Sequence, residues 1–427
     1  MGTTGNPTAT RAALLRLLVA CVAVRLGSSC TEFAMRQKGY TLSARNEDFA
    51  GLNPWFVVSV PVGTTTTTGI NPPGVAPWSY RVEHGYVAFM ENASALEYLH
   101  GDGPGLVMDG LNDEGLSVGA MTLVNSSFPP PDPKGRNVHV TEARNYLLAT
   151  CANVSEAVAA LLRVTVWATT ASTTRRRINH HLTLRDAAGD AVVVEFLGGE
   201  MKVHHAAAGD PAAALGVVTN EPELPWHLRN VEHWRWKRTL TEPAVAFPGG
   251  FYPDDRFIRA LVLRDAARFD PPSLEAAVAD AFGVLASVAV PLGVGVPGTD
   301  TGSNGGEQPH TDELRRRRWG EEGGGEKLGD HTRWSVVRDH SAEGLGYYWR
   351  DESNPGVRRL LLRDAHLGEG KSRRAWSVSG GQWFVDAERD EDESAGSDAS
   401  GRAGMDATGG LPLRGGDAVE GSRVVGW

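Results

Sequence analysis

The sequence predicts an α+β fold built in layers, and two observations carry that reading. Strand-like stretches at 30–49, 55–62, 85–90 and 105–124 precede helical periodicity at 141–164; strands return at 179–205 and 215–220, two helices follow, and strands close the ordered part. Runs of strands and then of helices build α+β layers, whereas strict alternation would build a parallel sheet. The second observation is that neighbouring strands are separated by short turn signals, Lys38-Gly39, Asn112 to Gly115, Gly189-Asp190 and Gly198-Gly199, which join them as hairpins.

Each element has its own signal. "CTEFAMRQ" and "YTLSARNEDF" read as one hairpin returning Arg45 and Asp48 alongside Cys30. "WFVVSVPV" and "GYVAFM" continue the strands, and "GLVMDGLNDEGLSVGAMTLV" is a further hairpin. "TEARNYLLATCANVSEAVAALLRV" has helical spacing broken near Asn153, with Ser155 as the expected N-cap of its second piece. "DRFIRALVLRDAARF" and a segment from Ser273, with Leu274, Ala277, Val278, Ala281, Phe282 and Leu285 on one stripe, are the two later helices. "TRWSVVRDH" and "LGYYWRDESNPGVRRLLLRDA" restore strand character.

The ends and one insert stand apart. Residues 1–29 hold three arginines and no acid, with the apolar run "LLVACVAV" behind Arg11 and Arg16 and small residues Gly27 and Ser29 before Cys30, as in a cleaved leader. A secretory signal implies a secreted, periplasmic or secretory-pathway protein; an acid-free, arginine-bearing leader also suits an organellar transit peptide. Residues 30–385 form the expected domain, interrupted by a Gly-rich, charged insert at about 296–330 that includes "RRRR" and is expected to be disordered. Residues 386–427, with ten acids and four arginines, read as a disordered acidic tail.

The net charge of -10 argues against a nucleic-acid surface. Outside the leader no run reaches the ~18 apolar residues of a spanning helix, so stable membrane insertion is not expected. Cys21, Cys30 and Cys151 form no CxxC pair and no cluster at ligand spacing, so neither a disulfide framework nor a metal site is indicated. His180-His181 and His204-His205 fall on strands, where adjacent side chains point to opposite faces; edge or surface histidines are the expectation.

Two nucleophiles compete. "GLSVG" fits the G-x-S-x-G pattern around Ser117, but a nucleophile elbow needs a strand before it and a helix after it. Here a turn precedes the motif and a strand follows, so a strand serine between turn glycines is the better reading. Cys30 is the stronger candidate. If the leader is removed, its thiol and its own α-amine share one residue, and an amine with a reference pKa of ~7.7 to 8.0 can take the thiol proton near neutral pH. Arg45 would favour the thiolate, and Asp48 could orient the ammonium by a charge-assisted hydrogen bond.

"CT" opening a strand, "ARNEDF", "DGLNDEGLSVGAMTL", "LGVVTNEPELPWH" and "PGGFYPDDRFIRALVLRDA" come in the order and approximate spacing of the choloylglycine hydrolase family, which the sequence resembles from Cys30 to about Ala365. These are N-terminal-nucleophile amidases that include bile salt hydrolases and penicillin V acylases. The resemblance implies a four-layer αββα sandwich in which Cys30 attacks a linear, non-peptide amide. It matches Arg45 and Asp48 to the family's partners of the nucleophile, Asn220 to its oxyanion-hole amide and Arg256 to its active-site arginine. It places Thr122 where bile salt hydrolases have asparagine and penicillin V acylases typically tyrosine. That position also offers a backbone N–H to the oxyanion, and threonine keeps it.

The expected activity is therefore a cysteine amidohydrolase acting through a Cys30 thioester on a small-molecule amide, without metal or organic cofactor, as a monomer or homo-oligomer. Its substrate would be a conjugated bile-acid-like, penicillin V-like or other N-acyl amide. A serine esterase using Ser117, or a non-catalytic binding protein of the same fold, are the alternatives.

Overall fold

A computed structural model describes residues 30–49, 54–92, 95, 105–171, 176–177, 179–205, 216–240, 248–292, 331–341 and 344–381. The expected leader, the expected insert and the acidic tail lie outside the described residues.

Two antiparallel sheets form the centre. The first holds β1 (Thr31–Gln37), β2 (Tyr40–Phe49), β10 (Val217–Thr219), β11 (His331–Asp339), β12 (Gly346–Asp351) and β13 (Asn354–Leu361), in the order β10-β1-β2-β11-β12-β13. The second holds β3 (Trp55–Val60), β4 (Tyr86–Glu91), β5 (Val107–Asn112), β6 (Ser117–Thr122), β7 (His180–Arg185), β8 (Ala191–Leu197), β9 (Glu200–His205) and β14 (Ala375–Ser377), in the order β9-β8-β7-β6-β5-β4-β3-β14. Helices α1 (Ala143–Thr150) and α2 (Val154–Leu161) cover the second sheet; α3 (Leu224–Leu240), α4 (Pro253–Asp265) and α5 (Leu274–Val288) cover the first.

Three apolar clusters show how the layers hold together. Leu147, Leu148, Val154 and Leu161 pack on Val118, Ala120, Leu182 and Val194. Phe257, Leu261, Ala281 and Leu285 pack on Phe33, Met35, Leu42 and Ala44. Between the sheets, Val57, Val87, Phe89 and Leu111 meet Trp334, Val336, Tyr347 and Trp349, with the Phe89 and Trp334 rings stacked 4.3 Å apart. A sheet with both faces covered reads as near-continuous burial, and β2, β4, β6, β8 and β11 show it. The layers are thus α, β, β, α, as the resemblance implied.

Two expectations need correction, and one helix goes beyond them. Asn153 rather than Ser155 caps α2: its side chain accepts the Glu156 N–H at 2.9 Å. Asparagine is the stronger N-cap, and a small shift in where the helix starts suffices to place it there. Helix α3 gave no apolar stripe in sequence, because tryptophan, histidine and arginine interrupt its period, yet Leu224 and Val231 are buried. His181 is neither at an edge nor at the surface. It lies on interior strand β7, 1% exposed and 3.7 Å from Glu195, whereas His204 and His205 do sit on edge strand β9.

Candidate active site

The β1–β2 hairpin sets the site by parity. Its two-residue turn gives Gly39 a φ of +83°, which side-chain-bearing residues rarely adopt. The register pairs Glu32 with Arg45, Phe33 with Ala44 and Thr31 with Asn46. Successive side chains alternate faces, so Phe33, Ala44, Asn46 and Asp48 turn to the helices, while Glu32, Arg45 and Glu47 turn to the second sheet. Asn46 indeed donates to Leu285 O on α5, and Asp48 lies 3.9 Å from Arg256 of α4.

Cys30 is fully buried at the start of β1. Its Sγ lies 3.3 Å from Glu47 Oε2 and 3.8 Å from Arg45 Nη2. Arg45 Nη2 also ion-pairs with the same Glu47 oxygen and donates to Ala120 O at 2.6 Å. Burial first, then the Glu47 carboxylate, pushes the thiol well above the usual cysteine range, outweighing Arg45.

On the helix side Arg256 gathers the remaining residues. It donates from Nη1 to Cys30 O at 2.8 Å and to Thr31 Oγ1, from Nη2 to Asn220 Oδ1 at 3.3 Å, and from Nε to Phe251 O at 2.9 Å. Asn220 in turn donates from Nδ2 to Thr122 O at 3.0 Å. An amide NH2 carries two hydrogens, so among the described residues one remains for another acceptor. Asp48 Oδ1 accepts from Thr332, while Oδ2 is buried with no hydrogen-bond partner among the described residues. Burial raises the Asp48 carboxyl to about 7, against the lowering pull of Arg256.

Cys30, Arg45, Asp48, Asn220, Arg256 and Thr122 therefore form one connected set. For Thr122 the contact seen is through its carbonyl. Two participants were not legible as such in the sequence. Glu47 stands inside the quoted "ARNEDF", and strand parity from Arg45 would have placed it on the same face. Gly119 closes "GLSVG" but makes no elbow: a Cβ there would lie 2.7 Å from Arg45 Nη1, 2.8 Å from Thr183 Oγ1 and 2.9 Å from Glu32 Oε2. The glycine leaves room for the arginine.

A network of buried charge continues behind Arg45. Glu32 lies 3.8 Å from Arg45, 3.8 Å from Arg185 and 3.4 Å from Arg338, and Arg338 also ion-pairs with Asp109, which accepts from Tyr347. With Glu47, three carboxylates ion-pair with three guanidiniums, and a fourth buried guanidinium, Arg144 of α1, bears on Arg45, Glu47 and Asp109. Burial would raise the Glu32 carboxyl, but Arg338, Arg185 and Arg45 hold it below the usual range.

Ser117 lies within strand β6, 1% exposed, with Arg338 Nη1 at 3.4 Å. The nearby His340 is turned elsewhere, to Ser43 Oγ at 2.8 Å and Gly115 O at 2.7 Å. At the surface, ligand atoms of His84, Asp113 and Glu114 lie within 4.8 Å of one another, although Asp113 already accepts the Gly85 N–H at 3.0 Å.

Comparison with known proteins identifies the family. Residues 30–304 match the family model for linear amide C–N hydrolases of the choloylglycine hydrolase family. A penicillin V acylase of Pectobacterium atrosepticum is 24% identical over 264 residues, covering 58% of this chain and 60% of the relative. A bile salt hydrolase/transferase of Clostridium perfringens is 27% identical over 205 residues, covering 43% and 60%. The chain thus spans about three fifths of the length of these curated relatives. Among solved structures, penicillin V acylase from Agrobacterium tumefaciens superposes with a TM-score of 0.61 at 23% identity, over 84% of this chain and 94% of that one. Conjugated bile acid hydrolase from Clostridium perfringens, solved as a mutant, gives 0.62 at 18% identity, over 84% and 99%.

Proposed function

The chain belongs to the choloylglycine hydrolase family of linear amide C–N hydrolases, and from that premise we propose that it is a cysteine N-terminal-nucleophile amidohydrolase whose Cys30 attacks an acyl amide once residues 1–29 are removed. The observation that carries the reading is the connected set around Cys30: its sulfur beside Arg45, and its carbonyl held by an Arg256 that also holds Asn220.

Cleavage before Cys30 would convert a peptide nitrogen into an α-amine. The amine takes the Sγ proton, and the thiolate adds to the substrate carbonyl. The oxyanion receives the remaining Asn220 Nδ2 hydrogen and the Thr122 backbone N–H; one such donor is worth roughly 2.7 to 4 kcal/mol. Collapse breaks the C–N bond as the Cys30 ammonium returns its proton to the leaving nitrogen. Water, deprotonated by the same amine, then cleaves the thioester, releasing the acid and restoring the thiol. Asp48 Oδ2, buried without a hydrogen-bond partner among the described residues, is available to the ammonium. Arg256 holds the Cys30 backbone and the Asn220 amide in one frame.

Substrates in this reading are conjugated bile-acid-like, phenoxyacetyl or fatty acyl amides, or acyl homoserine lactones. Threonine at 122 offers neither the asparagine nor the aromatic ring of the two named activities, so the acyl group is a matter for assay. In this reading the leader directs the protein to a secreted, periplasmic or secretory-pathway location, or to an organelle if it is a transit peptide. A panel of these substrates with Cys30→Ala and Ser117→Ala as controls tests the assignment. Hydrolysis lost only in Cys30→Ala supports it; hydrolysis surviving in Cys30→Ala and lost in Ser117→Ala would make the chain a serine hydrolase instead.

A further inference from the structure

The Glu47 carboxylate is a buried, negatively charged neighbour of the sulfur that the mechanism above leaves unused. Register explains its presence: Glu32 pairs with Arg45, so the residue before Thr31 lies opposite Glu47 on the same inter-sheet face. Oε2 meets both the Cys30 sulfur at 3.3 Å and Arg45 Nη2, while Oε1 is buried with no hydrogen-bond partner among the described residues.

We propose that Glu47 governs the ionisation of Cys30: its carboxylate accepts a hydrogen bond from the thiol and offsets the charge of Arg45, holding the sulfur as S–H until the α-amine of the processed chain takes the proton. This rests on Cys30 being the nucleophile. The other groups bearing on the sulfur are consistent with it. From β2, Arg45 favours the thiolate while Asp48 opposes it, although the Asp48 backbone N–H supports it. From α4, Arg256 reaches the Cys30 carbonyl and lies 3.9 Å from Asp48, so part of its field is spent there. Behind Arg45, Glu32 and Asp109 are matched by Arg338 and Arg185, and from α1 the buried Arg144 also bears on Glu47 and Asp109. Glu47 is thus the carboxylate in contact with the sulfur, and the charge whose removal leaves Arg45 acting on it directly.

The role differs from that of a base, since proton removal stays with the α-amine. A thiol held protonated is protected from oxidation and from reaction before processing, because the thiolate is the reactive form.

The test follows thiolate ultraviolet absorbance against pH in the full-length chain, subtracting Cys30→Ala so that only the Cys30 step remains. In Glu47→Gln and in Glu47→Met that step is expected at least about one pH unit lower, a tenfold larger thiolate fraction at a given pH below the step. An unchanged or higher step in the folded variants overturns the proposal, since a purely structural Glu47 would not move it. Should neither variant fold, the infrared S–H stretch of the wild-type chain decides: a Cys30 band at neutral pH, displaced by a strong acceptor, is required, and its absence is fatal. Titration needs no turnover, so failure here leaves the nucleophile assignment to be judged separately by activity of Cys30→Ala.

Discussion

Replacing Arg256 by lysine probes the frame that connects Cys30 to Asn220. The guanidinium donates to Phe251 O, Cys30 O, Thr31 Oγ1 and Asn220 Oδ1 from three nitrogens. A lysine keeps the charge facing Asp48, but a single ammonium on a flexible stem cannot reproduce that fork. Retaining the contact with Cys30 O and Thr31 sacrifices those to Asn220 and Phe251. Two hydrogen bonds from a charged donor are worth about 1.5 to 3 kcal/mol each, so a stability loss of about 3 to 6 kcal/mol is expected by denaturant unfolding. Asn220 would then be fixed only through Thr122 O, and its second hydrogen would no longer be aimed. Losing one aimed oxyanion donor lowers kcat by about 100- to 1,000-fold with little change in KM. Because both residues act through one donor, Arg256→Lys combined with Asn220→Ala should be little worse than Asn220→Ala alone. Fully additive losses, or a kcat within about threefold of wild type in a destabilised Arg256→Lys, would show that Arg256 does not work through Asn220.

Gly119→Ala forces a Cβ onto Arg45, Thr183 and Glu32; it should cost about 1 to 3 kcal/mol in unfolding free energy and lower kcat/KM by displacing Arg45, and a fully stable, fully active variant would refute the close approach. Burial pushes His227 down to about 4, with its ring stacked 4.6 Å from Phe257. The unfolded chain therefore binds the extra proton between pH 4 and 6.5, so this residue's contribution is present above about 6.5 and fades as pH falls towards 4. In His227→Gln the slope of stability against pH should flatten by about 1.4 kcal/mol per pH unit in that window, and an unaltered slope contradicts the neutral buried ring.

How much of this was legible in the sequence depends on the range of the interaction. The β1–β2 hairpin was readable because a Lys38-Gly39 turn and alternating patterning act locally, and that hairpin alone places Arg45 near Cys30. Helix α4 was readable in "DRFIRALVLRDAARF" and α5 from its apolar stripe, and Ser273 caps α5 by accepting the Ala276 N–H at 3.2 Å. Helix α3 was not readable, because its apolar contacts are spread around a polar, aromatic-rich segment. Asn220 and Arg256 were matched by family resemblance; no local rule links positions 36 residues apart. Glu47 was hidden differently. Parity gave its face, but its closeness to the sulfur depends on how β1 begins, and the burial of Glu32, Asp109, Arg185 and Arg338 together depends on two sheets meeting.

The central claim is that Cys30 becomes a terminal residue whose amine and thiol act together. N-terminal sequencing and intact-mass measurement of the amide-hydrolysing chain test it most directly. The account predicts that the active protein begins at Cys30 with a free α-amine. An active chain that keeps any residue ahead of Cys30, or whose α-amine is blocked, would contradict it.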